Sequence, residues 1–203
     1  YASIQNITKK AMKQLKATTE DELTELIIHR NELIDVRGVE DIYTIDPVHS
    51  RDFDDAFSVR KEGENHIINI YISNVPLWME ALDLWESFSN RISSIYLPDR
   101  KRPMLPTVLS DALCSLTQND TRFALRLSLT INESFEIISQ RFDNCVIRVK
   151  KNLRYDTPAQ ENNKDYKMIF GLIQKMNRKK RYVDSIKDSH DVIAYLMIIY
   201  NYM

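Results

Sequence analysis

The chain has 203 residues, 43% of them hydrophobic and 28% charged, which is ordinary for a globular protein and enough for one sizeable core. No apolar run approaches 18 residues, so no membrane span is indicated, and no secretory leader opens the chain. A formal net charge of −1 argues against a uniformly basic nucleic-acid coat. The two cysteines, Cys114 and Cys145, lack metal-type spacing and are expected to be reduced, half-buried thiols of an intracellular, cytoplasmic protein. Tyr1 in place of an initiating Met suggests a piece of a longer chain.

In chain order, Ile7, Ala11 and Leu15 share one face of an opening helix that carries lysines elsewhere. A second helix is signalled by Thr19 as N-cap with Glu22 three residues on, and should end before Gly38. Tyr43 to Ile45 is a short strand stopped by Asp46-Pro47, because the residue before proline is kept out of the helical region. Phe53 to Val59 and His66 to Ser73 predict two strands joined through Gly63. Pro76 to Ser94 predicts an amphipathic helix with Trp78 and Trp85 in the core, followed by a proline loop from Tyr96 to Pro106. Arg122 to Ile131 and Phe135 to Val149 form an expected antiparallel pair turning at Asn132 to Ser134, and two helices follow from Pro158. These elements add up to an α+β domain with a largely antiparallel sheet flanked by helices.

Four carboxylates fall in the stretch Asp46-Pro-Val-His-Ser-Arg-Asp52-Phe-Asp54-Asp55. Were Asp52 to begin a strand, it would share a face with Asp54 while Asp55 pointed the other way, and the turn from Pro47 to Ser50 could fold Asp46 back beside them. Crowded carboxylates repel one another unless a cation neutralises them. Magnesium suits such a group, being a hard ion that prefers oxygen ligands, and two such ions can serve phosphodiester cleavage. On spacing alone a solvated acidic surface turn is the plainer reading. The spacing of a calcium loop, with its closing Glu, is absent.

The stretch from Tyr43 to Ala56 resembles the signature of the RNB family of exoribonucleases, the ribonuclease II and ribonuclease R type. The similarity continues in order through Ile70-Tyr-Ile-Ser-Asn-Val75, then Tyr96-Leu-Pro to Pro103-Met-Leu-Pro106, then Leu109-Ser to Leu113-Cys-Ser-Leu116. The resemblance divides the chain into a helical lead-in, residues 1–35, and the N-terminal portion of a catalytic domain, residues 36–203.

What the resemblance implies is a 3′→5′ exoribonuclease that hydrolyses single-stranded RNA to nucleoside 5′-monophosphates with magnesium, as two ions. Asp46, Asp52 and Asp55 take the positions of metal ligands, and Asp54 that of the carboxylate that sets up the attacking water. Tyr96 takes the position of a tyrosine stacking near the RNA 3′ end, and Tyr155 that of a second RNA-facing tyrosine. Arg148, Lys150, Lys151 and Arg154 could track phosphates, as could Arg100, Lys101 and Arg102. The run Arg178 to Arg181 reads as a solvated helix face and His49 as loop surface.

The sequence also departs from the family. Its Ser-Pro-Ile-Arg-Arg-Tyr segment, which supplies a phosphate-binding arginine, is not among these residues, so the 203 residues alone are expected to be inactive. Ala194 and Tyr195 stand where the family has an acidic pair, which keeps open a non-catalytic, RNA-binding relative.

Overall fold

The computed structural model describes residues 2–85, 95–96, 101–102 and 105–203. Two helices lead in. The first, α1 (Ala2–Ala17), buries Ile7 and Ala11. The second, α2 (Glu20–Arg30), starts at a reciprocal cap: the Thr19 N–H donates to the Glu22 carboxylate at 2.8 Å, and the Glu22 N–H donates to the Thr19 hydroxyl at 3.3 Å. Such a box satisfies two backbone donors that a helix start leaves open. Leu23 and Ile27 then join Ile7, Trp78, Met79 and Leu113 in one apolar cluster.

The strands in chain order are β1 (Ile34–Asp35), β2 (Ile42–Asp46), β3 (Asp55–Glu62), β4 (Asn65–Ser73), β5 (Ile95–Tyr96), β6 (Lys101–Arg102), β7 (Thr121–Ile131) and β8 (Ile137–Arg154). All but β5 and β6, which pair with each other, build a six-stranded sheet in the order β1-β8-β2-β3-β4-β7. Gly63, at φ +60, makes the tight β3–β4 turn, the conformation that favours glycine there. The 18-residue β8 pairs antiparallel with β7 over its first two thirds and parallel with β2 over its last third. The sheet therefore closes on itself through β8, and only the β8 pairings with β1 and β2 are parallel.

Closure explains why β4 is buried on both faces. Ile68 and Ile70 pack outward with Phe57, Leu127 and the last helices, while Tyr71 points inward with Ala56, Ala124 and Cys145. Each such fully buried Ile or Leu contributes roughly 1.5–3 kcal/mol, so the strands are held from two sides. Both cysteines are free and fully buried rather than half-buried, since each lies inside an apolar cluster.

Among the described residues, α3 (Val75–Ala81) and the π-type α4 (Val108–Leu113) lie between β4 and β7, the wide turn of α4 marked by the Cys114 N–H donating to the Leu109 carbonyl at 2.8 Å. The helix expected over Pro76 to Ser94 breaks after Ala81; Trp85 is helical again, and residues 86–94 lie outside the described residues. Asp83 adopts φ 51, which ends helical periodicity. From there Leu82 and Leu84 point in and Asp83 and Trp85 point out, so Trp85, expected in the core, is 51% exposed.

Three helices rather than two follow β8: α5 (Pro158–Glu161), α6 (Lys164–Lys179) and α7 (Ser189–Tyr202). Asn163 divides the first two, because its side chain accepts from the Asp165 and Tyr166 N–H groups and starts a new helix. Among the described residues no helix is long and apolar enough to cross a membrane.

Candidate active site

β2 ends at Asp46, and the Ser50 N–H closes the following turn on the Pro47 carbonyl at 3.1 Å. The return strand starts at Asp55, two residues later than expected from Phe53. The backbone of Phe53 is engaged elsewhere: its N–H donates to the Ser115 hydroxyl at 3.0 Å and its carbonyl accepts from Leu116 N–H at 2.8 Å. Asp52 and Asp54 therefore sit on a loop, and Asp46 and Asp55 on the strand ends that the loop joins.

That loop is tied down from three directions. The buried Ser115 hydroxyl also donates to the Arg51 carbonyl at 2.9 Å. Arg154 donates to the Pro47 carbonyl at 2.9 Å and lies 5.2 Å over the Phe53 ring. The Tyr155 N–H donates to the Asp46 carbonyl at 3.1 Å. Asn152 adds a brace, its amide donating to the Thr44 hydroxyl and the Leu116 carbonyl at 3.0 Å each.

The electrostatics bind the four aspartates into one neighbourhood. Asp46 is pushed up to about 6, first by burial; its bond with Thr44 and the Arg154 charge oppose this, while Asp54 and Asp52 push it further up. Asp55 is pushed up to about 7 by burial, then by Asp46 and Asp54. Tyr155 is pushed up to about 12 by burial and then by Asp55 and Asp46, so its hydroxyl stays protonated at neutral pH. Carboxylates this close titrate as a group rather than singly.

Asp46 Oδ2 is buried and, among the described residues, has no hydrogen-bond partner. A buried acceptor left open is costly, and an oxygen-only donor set with raised values fits a hard cation. Among the described residues no group of three or more His, Cys, Asp or Glu side chains converges closely enough to hold a metal ion as they stand.

Arg154 and Tyr155 join the aspartates at the end of β8. Arg148 and Lys150 do not: Arg148 is exposed and donates to the Thr121 hydroxyl at 3.3 Å, and Lys150 pairs with Asp41 at 2.6 Å. Arg148 lies roughly 20 Å back along the strand at strand rise. Lys151 is exposed on β8, opposite Tyr43. Tyr96 stands in β5 with Lys101 as its backbone partner, its side chain lying outside the described residues, as does Arg100. His49 is exposed on the turn, and Arg178 to Arg181 are exposed at the end of α6.

Four residues that support this site do not stand out as site residues in the sequence. His190, at the start of α7, stacks on Tyr155 with ring centroids 3.9 Å apart. Thr44 and Asn152 brace the aspartate loop; Thr44 lies within the stretch from Tyr43 to Ala56, while nothing local marks Asn152. Ser115 lies inside the Leu113-Cys-Ser-Leu116 segment, which is the signal for it.

Residues 30–167 match the RNB domain. Ribonuclease R of Chlamydia muridarum is 37% identical over 118 residues, 56% of this chain and 17% of that protein. The chain spans about a fifth of the length of the curated relatives it matches. Mycoplasma genitalium RNase R, solved in complex with double-stranded RNA, has a TM-score of 0.64 at 22% identity, covering 83% of this chain and 36% of that one. Its complex with ribose methylated single-stranded RNA gives 0.52 at 21% identity, covering 84% and 24%. Yeast Ssd1, described as a pseudonuclease, has a TM-score of 0.61 at 16% identity over 76% of this chain and 20% of that one. At these identities the structural likenesses speak for the fold. Because the matched residues are more than half of the chain and take in all four aspartates with Ser115, Arg154 and Tyr155, the chain belongs to the RNB family.

Proposed function

We propose that the full protein is a magnesium-dependent 3′→5′ exoribonuclease acting on single-stranded RNA and releasing nucleoside 5′-monophosphates. The observation that carries this reading is the crowded carboxylate group, with the orphaned Asp46 Oδ2 and with Asp46 and Asp55 both raised. Kinship with proteins named ribonuclease R supports it.

Asp46, Asp52 and Asp55 would hold magnesium, their side chains drawing together around it, and the bound ion would supply charge neutralisation at the phosphate and a more acidic water. Asp54 orients the attacking water and takes up its proton. Water adds across the P–O3′ bond, leaving the phosphate on the 5′ carbon of the released nucleotide and a hydroxyl on the new 3′ end. Tyr155 and Tyr96 hold terminal bases by their ring faces, which suits any sequence. Arg154 and Lys151 meet phosphates, with Arg148 and Lys150 further along the strand. Ser115 keeps the loop in place, so that the carboxylates need little rearrangement during reaction.

The test uses the full-length protein with RNA labelled at either end, in magnesium. The 3′ label should appear at once as mononucleotide, while the 5′-labelled strand shortens stepwise. Asp54→Asn should lower the rate by about a hundredfold or more, the scale of losing a preorganised catalytic group. If neither strand shortens, or if the variant keeps its rate, the reading is wrong.

A second reading, a non-catalytic RNA-binding member, is favoured by one observation: Ala194 is exposed and Tyr195 is buried at the positions of the acidic pair. RNA binding indifferent to magnesium, with no mononucleotide released, would select it.

A further inference from the structure

Helix α6 carries a feature that the aspartate site does not use. Lys164, Lys167, Lys175, Arg178 and Lys179 are all exposed, and at helical spacing they fall within about 120° of arc along roughly 22 Å. The opposite side buries Ile169, Ile173 and Met176 in the core. The helix's one acidic residue, Asp165, is buried, and among the described residues none of the five cations has a carboxylate in ion-pair reach. A row of like charges on one helix opposes helix stability, by a few tenths of a kcal/mol per i,i+4 pair. In a chain of net charge −1 it is also not a by-product of composition.

The stripe borders two clefts. One, of ≈ 420 Å³, is lined by Lys61, His66, Phe135, Lys167, Gly171 and Lys175, with Glu64 and Glu133 on the hairpin turns. Gly171 leaves it open, since a Cβ there would meet nothing within 4 Å. His66 is held below its ordinary value by burial, then by Lys61 and Lys175, which marks a positive potential. The other, of ≈ 430 Å³, is lined by Phe135, Lys179, Lys180 and Tyr182 among others, with Glu136 at the start of β8. The clefts meet at Phe135, and aromatic rings accompany the cations: Lys175 Nζ lies 4.6 Å over Phe135, and Lys180 Nζ lies 5.0 and 4.6 Å over Tyr182 and Tyr202.

We propose that the outer face of α6, with the two clefts that meet at Phe135, is a second binding surface for single-stranded RNA, separate from the aspartate site. Cations in a row track a phosphate backbone, and aromatic faces beside them take bases without sequence preference. An acidic protein would use the charges but have little need of the rings. The first turn of α6 lies towards the site end of the molecule, since Tyr166 is buried in the apolar cluster against which Tyr155 packs. RNA on the stripe would thus extend away from the aspartates. The inference rests on the reading of the protein as one that handles RNA.

The experiment uses the chain carrying Asp54→Asn, in EDTA, with a fluorescein-labelled oligouridylate read by anisotropy between about 50 and 200 mM KCl. Lys167→Gln/Lys175→Gln/Arg178→Gln should raise the Kd about tenfold or more at low salt. It should also flatten the slope of log affinity against log salt by about 2, at roughly 0.7 per lost phosphate contact. Lys9→Gln/Lys13→Gln/Lys16→Gln on α1 removes the same charge and should leave both unchanged. Equal affinities for parent and α6 variant, or equal losses from both variants, would overturn the proposal. Displacement of the RNA by polyglutamate as readily as by oligouridylate would overturn it too, assigning the face to an acidic protein. Failure of the nuclease reading shows separately, as absent hydrolysis by the full-length protein with this binding difference intact. A parent chain that binds no RNA would sink the RNA assignment itself.

Discussion

Tyr155 lies flat on His190, with ring centroids 3.9 Å apart and planes 9° from parallel. One face of the tyrosine is thereby occupied, and the charges of Asp55 and Asp46 act on its hydroxyl. The imidazole thus braces the ring beside the carboxylates instead of leaving it free to swing. Tyr155→Ala should weaken single-stranded RNA binding by about 1–3 kcal/mol, the scale of one stacked base. Tyr155→Phe should bind nearly as the parent, because the ring face and not the hydroxyl does the work. Anisotropy titrations decide it; parent-like affinity in Tyr155→Ala would remove this residue from the RNA path.

The raised aspartates make a prediction about pH. Asp46 and Asp55 lie at about 6 and about 7, against 3.8 for an ordinary Asp, so the folded chain holds their protons more tightly than the unfolded chain does. Their contribution to stability is fully present below about pH 4 and is lost as pH rises through about 7. At about 1.4 kcal/mol per pH unit the loss is several kcal/mol at most, less than the sum of the two because the pair titrates together. Carboxylates held low, such as Asp35 by its bond with Arg37, act in the opposite sense, so the useful quantity is a difference. In EDTA, Asp55→Asn should match the parent near pH 4 and exceed it in stability at pH 7.5 by urea unfolding. Magnesium at pH 7.5 should then stabilise the parent more than the variant. A difference that stays flat across this range would contradict the assignment.

Much of this arrangement was legible because its causes are local. Pro47 stops β2, Gly63 turns β3 into β4, and Thr19 with Glu22 starts α2, each through neighbours within a few residues. The closing of the sheet was not legible, since the parallel pairing of β8 with β2 follows from two strands distant in sequence. Phe53 has strand chemistry, yet Ser115 and Leu116 claim its backbone from the far side of α4. Trp85 fits a helical stripe that Asp83 interrupts. The four aspartates could be counted in the sequence, whereas the burial that raises two of them depends on the closed sheet.

Ser115 offers a test of how much the loop's anchoring matters. Its hydroxyl accepts from Phe53 N–H and donates to the Arg51 carbonyl, and the residue is fully buried. Ser115→Ala leaves both backbone groups without that partner, at a cost of about 1–3 kcal/mol. The loop carries Asp52 and Asp54, so RNA hydrolysis by the full-length protein should fall at least as far as stability does, about tenfold or more. Urea unfolding and hydrolysis rates measured together would tell. A variant that is destabilised yet fully active would mean that the loop holds its shape without this serine.

Arg154 separates positioning from charge. It donates to the Pro47 carbonyl, covers the Phe53 ring, and holds Asp46 lower than burial alone would leave it. Removing the guanidinium takes away that restraint, so Asp46 must rise further and becomes ionised only at higher pH. If Asp46 binds magnesium as the carboxylate, Arg154→Ala should move the acid limb of the hydrolysis profile to higher pH, besides weakening RNA binding. Arg154→Lys keeps a charge but loses the planar contact with Phe53 and the fork of donors. It should restore most of the pH profile and only part of the rate. An acid limb unmoved in Arg154→Ala would separate Asp46 from the ionisation that limits activity, and would assign the arginine to loop packing alone.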